Sequence, residues 1–207
     1  MSARLPHLLE PYLALPPEAS LILLTSVLGA SSNWLTLRYL YSYLKSSSSS
    51  SFNANATGTS GNDAPGVVLV SFMRDGAFWR DGAGRMGLDL DAATRSNRFV
   101  FVDALTGLFS DNGPATGIGS NSGRLSDGNV KADRVLKSSR ITDVQAGINA
   151  ALAQLQTSRK ILVVDQIDVL LAASEEDVTS AAVSSMLLSL REVRQPRRDV
   201  FSCLSFL

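Results

Sequence analysis

The stretch "LLTSVLGASSNWLTLRYL", residues 23 to 40, reads as an apolar strand that runs through a turn into a helix. That is the layout of a phosphate-binding loop. Such a loop needs G-x-x-x-x-G-K-[ST], in which close-packed backbone N–H groups wrap the phosphates, Lys reaches the terminal ones and a hydroxyl holds Mg²⁺. The best register puts Ser26 at the first Gly, Ser31 at the second, Ser32 at the Lys and Asn33 at the Ser/Thr, with Gly29 inside the loop. Both obligatory glycines and the charge are missing. Ser26, Ser31 and Ser32 could cradle an anion only through hydroxyls and the N-terminal amides of the helix capped by Asn33.

Working outward, four apolar runs punctuate the chain: Leu21 to Leu24, "GVVLVSF" (66–72), "RFVFVDAL" (98–105) and "KILVVDQIDVLL" (160–171). They are short, rich in β-branched and aromatic residues, and do not alternate, as expected of strands covered on both faces of a parallel sheet. Helical spacing lies between them. One helix is expected from Asn33 with Trp34, Leu37, Leu40, Tyr41 and Leu44 along one stripe, a second over 142–155, and a third over 178–193. The pattern predicts one α/β domain, residues 1–207, with a parallel sheet flanked by helices. Residues 46–66 and 110–130 are dominated by Ser, Gly, Asn and Asp and read as surface insertions. Val200 to Leu207 could open one more strand, and because an open sheet usually carries others, the C-terminal part reads as truncated.

Composition narrows the chemistry. Lys+Arg and Asp+Glu balance at 19 each, so no global field draws the chain to nucleic acid or an anionic membrane. A single Cys203 and a single His7 exclude an internal disulfide and a Cys/His zinc cluster, and fit a reducing compartment. No apolar run reaches the roughly 18 residues a spanning helix requires. "ASLILLTSVLGASS" resembles a signal peptide only superficially, because it follows Glu10, Pro16, Pro17 and Glu18 rather than a basic start.

Candidate residues sit where strands end. Asp165 closes the run "KILVVD" and could hold Mg²⁺ through water in a nucleotide site, although an Asp there more often caps the next turn. Asp75 and Asp103 occupy equivalent strand ends, so all three are expected on the edge where open α/β sheets keep their ligand crevice. An acidic edge without Lys would repel phosphate, and no catalytic residue is assigned. "GIGSNSG" (117–123) only loosely evokes a dinucleotide fingerprint. Arg191, Arg194, Arg197 and Arg198 form one basic cluster, and Lys131, Arg134, Lys137 and Arg140 another; either could contact phosphates or be a solvated face. Phe72, Phe78 and Trp79, with Arg80, read as an aromatic loop beyond a strand, suited to an interface or to the core.

The ordered set "LTSVLGASSNWLTLRYL", "VVLVSFMRDGAFWR" with "GLDL" (87–90), "RFVFVDALTGLF" and "KILVVDQIDVLLA" resembles the Elongator complex protein 6 family, in its fungal form. The resemblance spans most of the chain outside the two insertions and is most specific in S-F-x-R-D-x-x-F-W and F-V-D-x-L-[ST]-G-L-F. It implies a RecA-like fold that has lost its phosphate-loop residues, and a pseudo-ATPase role rather than an enzyme. It further implies two sister RecA-like subunits in a hetero-hexameric ring with two copies of each, docked on the catalytic Elongator subcomplex. That ring would bind tRNA and any ATP, in support of wobble-uridine modification, with no membrane and a cytoplasmic, also nuclear, location. The tail after Arg194 departs from the strands the family would show. Bottom-up, a different reading stands beside this one: an ATPase with an unorthodox loop, Asp165 holding Mg²⁺ and a partner supplying the missing cation in trans.

Overall fold

A computed structural model describes residues 7–13, 20–27, 30–45, 64–109, 133–136, 138–173, 178–192 and 200–206. After a 3₁₀ turn at His7–Leu9 come α1 (Glu10–Leu13), β1 (Leu21–Thr25), α2 (Asn33–Lys45), β2 (Gly66–Ser71), α3 (Gly76–Arg85), α4 (Leu90–Arg95), β3 (Phe99–Asp103) and α5 (Leu105–Phe109). Then follow β4 (Arg134–Val135), α6 (Ile141–Gln154), β5 (Lys160–Asp165), α7 (Asp168–Ala173), α8 (Ser180–Glu192) and β6 (Val200–Phe206). The six strands pair in the order β1-β6-β5-β2-β3-β4, all parallel.

This order follows from chirality. A β-crossover-β connection in one sheet is right-handed. The chain steps from β1 to β2 to β3 in one direction and from β4 back to β5 and β6 in the other, so the crossover helices fall on opposite faces. The two cores match that division. Val67 and Leu69 of β2, Phe99 and Phe101 of β3, and Ile161 and Val163 of β5 pack against Tyr39, Leu40, Trp79, Ala83 and Leu90 of α2, α3 and α4. Their alternate neighbours Val68, Val70, Val100, Val102, Leu162 and Val164 pack against Val144, Ile148, Leu152, Val183 and Met186 of α6 and α8, and Leu170 of α7. The strand period of two thus feeds both layers, which is why β2 is apolar and buried at every position.

Several expectations change. Leu21–Leu24 does form a strand, but β1 is the sheet margin and alternates exposed with half-buried residues, rather than being covered on both faces. The buried positions of α2 are Thr36, Tyr39, Leu40, Tyr43 and Leu44, so the stripe is rotated and Trp34 stands 52% exposed. Asn33 is the first residue of α2 rather than its cap; the carbonyl of Ser32 receives the amides of Leu35 and Thr36 at 2.9 and 3.0 Å. The run 160–171 divides, its second half being α7.

Between β2 and β3, the expected aromatic loop is instead two helices. Asp75 caps α3 by accepting the Phe78 amide at 2.9 Å, and Asp89 caps α4 by accepting that of Ala92 at 2.9 Å. Gly87 makes the turn between them with φ of 77°, a conformation glycine adopts without cost. Val200–Phe206 forms β6, in the interior of the order between β1 and β5. Of the two insertions, 46–63 and 110–130 lie outside the described residues, while Gly66 already opens β2.

Candidate functional site

Parallel pairing in register brings one row of polar residues to the C-terminal edge of the sheet. Ser71 of β2 lies beside Asp103 of β3 on one side and Asp165 of β5 on the other. Adjacent strands are about 4.8 Å apart, so three residues distant in sequence share a patch roughly 10 Å wide. The expected convergence of strand-end carboxylates is therefore present for Asp103 and Asp165, with Asp75 just beyond β2.

Their tasks differ. Asp75 is occupied as the α3 cap, and Asp103 holds the start of α5 by accepting Thr106 N–H at 2.9 Å and Thr106 Oγ1–H at 2.7 Å. Asp165 caps nothing. It is fully buried, one carboxylate oxygen accepts the Ser71 hydroxyl at 3.0 Å, and the other has no hydrogen-bond partner among the described residues. Ser71 Oγ in turn accepts the Arg74 amide at 3.0 Å, which orients the hydroxyl toward Asp165. The main chain also knits this edge, with Phe72 N–H donating to the Asp165 carbonyl at 3.2 Å and Ala104 N–H to the Ser71 carbonyl at 3.0 Å. Burial pushes the Asp165 carboxyl up to about 6; the Ser71 hydrogen bond and the Arg74 charge pull it down and Asp168 pushes it further up.

The residue after it, Gln166, takes φ of 56°, a strained conformation for a side chain of its kind. That turn buries Ile167 and starts α7 at Asp168. Among the described residues no three His, Cys, Asp or Glu side chains cluster in a way that could hold a metal ion. A lone buried carboxylate of this kind can take or hold a proton near neutrality. It does not by itself build a cation cage.

The phosphate-loop segment sits elsewhere. β6 stands between β1 and β5, so the end of β1 is two strand spacings, about 10 Å, from Asp165. Ala30 N–H donates to the Val27 carbonyl at 2.9 Å. That hydrogen bond consumes an amide which a phosphate cradle would aim at its ligand. Ser31 Oγ accepts the Asn33 amide at 3.2 Å, and Ser32 is buried. Ser26 is half-buried, and Val27 is 72% exposed; Gly29 lies outside the described residues. A helix start remains, with its serines drawn into local structure and without a fixed cation.

Other candidates separate in the same way. Phe72 and Trp79 are fully buried, so they are core rather than interface, while Phe78 is half-exposed, edge-on to Trp79 and under the Arg74 guanidinium at 5.1 Å. Arg80 is not a loop cation: it donates to Asp91 at 2.9 Å and to Asp133 through both terminal nitrogens, tying α3 and α4 to the segment before β4. These partners raise its pKa, the Asp133 hydrogen bond most of all, against burial. Gly76 makes room for the contact, since a Cβ there would lie 2.5 Å from Asp133 Oδ2 and 2.6 Å from Arg80 Nη1.

Arg134 donates to Gln154 at 2.9 Å, and Arg140 precedes α6. Lys131, Lys137, Arg194, Arg197, Arg198 and the Gly117–Gly123 stretch lie outside the described residues, as does the side chain of Arg191, which is in α8. Ser71 was not foreseen. Its signal was the polar residue ending an otherwise apolar run, and its importance depends on Asp165 arriving beside it from 94 positions away.

No protein-family model matches the chain, and no curated protein does. Solved structures do. An uncharacterised protein of Pyrococcus horikoshii, crystallised with an unknown peptide, superposes with a TM-score of 0.56 over 96% of this chain and 73% of its own, at 14% identity. A KaiC-like protein from the hyperthermophilic archaeon Pyrococcus horikoshii superposes with a TM-score of 0.52 over 91% of this chain and 63% of its own, at 15% identity. Together with the parallel order and the helices on both faces, the likeness shows a RecA-like α/β fold. At such identity it shows the fold alone. Among the described residues no helix is long and apolar enough to cross a membrane.

Proposed function

We propose that this chain is a non-catalytic structural subunit of the eukaryotic Elongator complex. It joins two sister RecA-like subunits in a hetero-hexameric ring that binds tRNA and supports wobble-uridine modification. The observation that carries the reading is the phosphate-loop segment: a strand-turn-helix kept as scaffold while Ser31 serves the helix start, Ser32 is buried and no Lys is present. Phosphoryl transfer depends on fixed positive charge at the terminal phosphates, which this loop does not supply. The sequence resemblance adds the partners. Its specific motifs, S-F-x-R-D-x-x-F-W and F-V-D-x-L-[ST]-G-L-F, lie across β2–α3 and β3–α5, around Ser71 and Asp103 at the strand-end row.

The test is co-expression with the two sister subunits, followed by native mass measurement. An assembly of six chains, two of each, that retains tRNA with a salt-dependent affinity is expected. A chain that co-purifies with neither overturns the reading. Tight, Mg²⁺-dependent ATP binding by the isolated chain overturns its non-catalytic part and favours the trans-completed ATPase.

A further inference from the structure

The balanced charge totals conceal a division between the two ends of the strands. At the C-terminal edge stand Asp75, Asp103, Asp165 and Asp168, with Arg74 and Arg134. At the N-terminal edge the charges are basic. Arg98 precedes β3, Arg159 and Lys160 lead into β5, Lys45 ends α2 and Arg95 ends α4. Main-chain bonds gather these segments around the start of β2. Val67 N–H donates to the Arg98 carbonyl at 2.7 Å, Gly66 N–H to that of Arg159 at 2.8 Å, and Gln156 N–H to that of Asn97 at 3.4 Å. The end of α2 joins them because Arg98 donates to the Leu44 carbonyl at 3.1 Å. Among the described residues one carboxylate lies within ion-pair distance of these five cations, Asp89 at 3.8 Å from Arg95, in an exposed and therefore weak pair.

Two of the cations are pinned. Arg98 also reaches the Pro65 carbonyl at 3.4 Å, and Lys160 Nζ donates to the Leu152 carbonyl at 2.8 Å near the end of α6. Carbonyl oxygens hold these heads in place without removing their charge. Lys45 and Arg95 are exposed and Arg159 is half-buried. The apolar neighbours along the chain, Leu44, Phe99, Leu155 and Ile161, are all buried, whereas Ser96, Gln156 and Ser158 are exposed. Cations and small polar side chains without an exposed apolar residue suit a hydrated polyanion rather than an apolar protein face.

We infer that this N-terminal edge is the surface through which the chain holds the phosphate backbone of RNA. The inference rests on the reading of the chain as a subunit of a tRNA-binding ring, and gives that binding a place. The five cations come from positions 45, 95, 98, 159 and 160, so only the parallel pairing of β2, β3 and β5 brings them together. Neither basic cluster visible along the sequence contains any of them. Contacts to phosphates fix the RNA without reading its bases, so binding here is steeply salt-dependent and indifferent to sequence.

Fluorescence anisotropy of the full chain with a labelled tRNA transcript, between about 50 and 200 mM KCl, tests this. The variant Lys45→Gln/Arg95→Gln/Arg159→Gln removes three cations and spares the pinned pair. With an unchanged far-UV circular dichroism spectrum, it should bind about tenfold more weakly at the lower salt and lose roughly 2–3 from the slope of log affinity against log salt. Lys131→Gln/Lys137→Gln/Arg140→Gln removes the same charge elsewhere and should stay within about twofold of the parent. Lys45→Arg/Arg95→Lys/Arg159→Lys keeps the charge and should keep the slope. If the first variant does not fold, Arg95→Gln alone should lower the slope by about 1. Co-expressed with the sister subunits, the first variant should enter the ring and lose the RNA. A parent chain that joins no sister subunit yet binds RNA through these cations overturns the ring and leaves this surface standing. A parent that binds no RNA alone or assembled, or equal losses in the two Gln variants, overturns the inference. So does a first variant that binds RNA as the parent does but leaves the ring, which would make this edge a protein interface.

Discussion

β5 and β1 are made of the same kind of residue, "KILVVD" against "LILLT", yet they have opposite environments. β5 is flanked by β6 and β2 with helices on both faces, and every residue after Lys160 is buried. Among the described residues β1 has one neighbouring strand, and Leu21, Leu23 and Thr25 are exposed. The polar residue at the end of each strand inherits that difference. Asp165 is withdrawn from water and holds a proton to unusually high pH, whereas Val27, Ala30 and Ser31 beyond β1 are exposed and hydrogen-bond to near neighbours in the chain. A strand's position in the sheet, more than its composition, decides whether the chemistry at its end is tuned by burial.

The comparison is broken most severely at the centre. Trp79, fully buried under the β2–β3–β5 face, should cost about 3–5 kcal/mol on replacement by Ala. Urea unfolding measures this, and a loss under about 1 kcal/mol would mean that the centre is not packed as described.

Asp165→Asn comes next. The carboxyl is raised from its ordinary 3.8 to about 6, so between those values the folded chain retains a proton that the unfolded chain releases. Stability must then fall as pH rises through that window, by on the order of 2–3 kcal/mol in total, and remain low above it. Asn at this position should flatten that slope and leave the variant more stable than the parent at pH 7.5. Unfolding curves collected from pH 4 to 7.5 decide it, and an unchanged slope would assign the proton elsewhere.

Arg80→Ala removes a partly exposed ion-pair cluster and should cost about 1 kcal/mol, with Arg80→Lys recovering little because the forked contact to Asp133 is lost. Thermal melts of the pair check this. At the margin, Trp34→Ala should change stability by less than about 0.5 kcal/mol, since the ring is half in water. The contrast between the two tryptophans is the most direct measure of how unlike the two regions are.

Much of the fold was legible in the sequence. The apolar runs marked β1, β2, β3 and β5 of the parallel sheet, and the three- and four-residue spacing marked α2, α6 and α8 near their ends. The helices α3 and α4 were missed because "GAFWRDGAGR" and "LDAATR" are short, and the first is rich in Gly. Their legible signals were the caps Asp75 and Asp89. Two parallel strands in one sheet need a crossover between them, which itself called for helices between β2 and β3. The rotation of the α2 stripe was harder to read, because Thr36 and Tyr39 face the core while Trp34 does not, and hydrophobicity alone ranks them otherwise.

By itself the sequence determined the layer architecture, the loss of the phosphate-loop residues and the strand-end places of Asp103 and Asp165, because these follow from local periodicity and residue identity, whereas Asp75 lies four residues beyond β2 as the cap of α3. Only the tertiary structure decided which of those carboxylates is a cap and which is buried beside Ser71. It also decided that β6 separates the loop from Asp165, and that β1 is the margin. Those outcomes depend on which strands become neighbours, and neighbourhood is set by crossover handedness and the competition for two-sided burial, neither of which is written in any single segment.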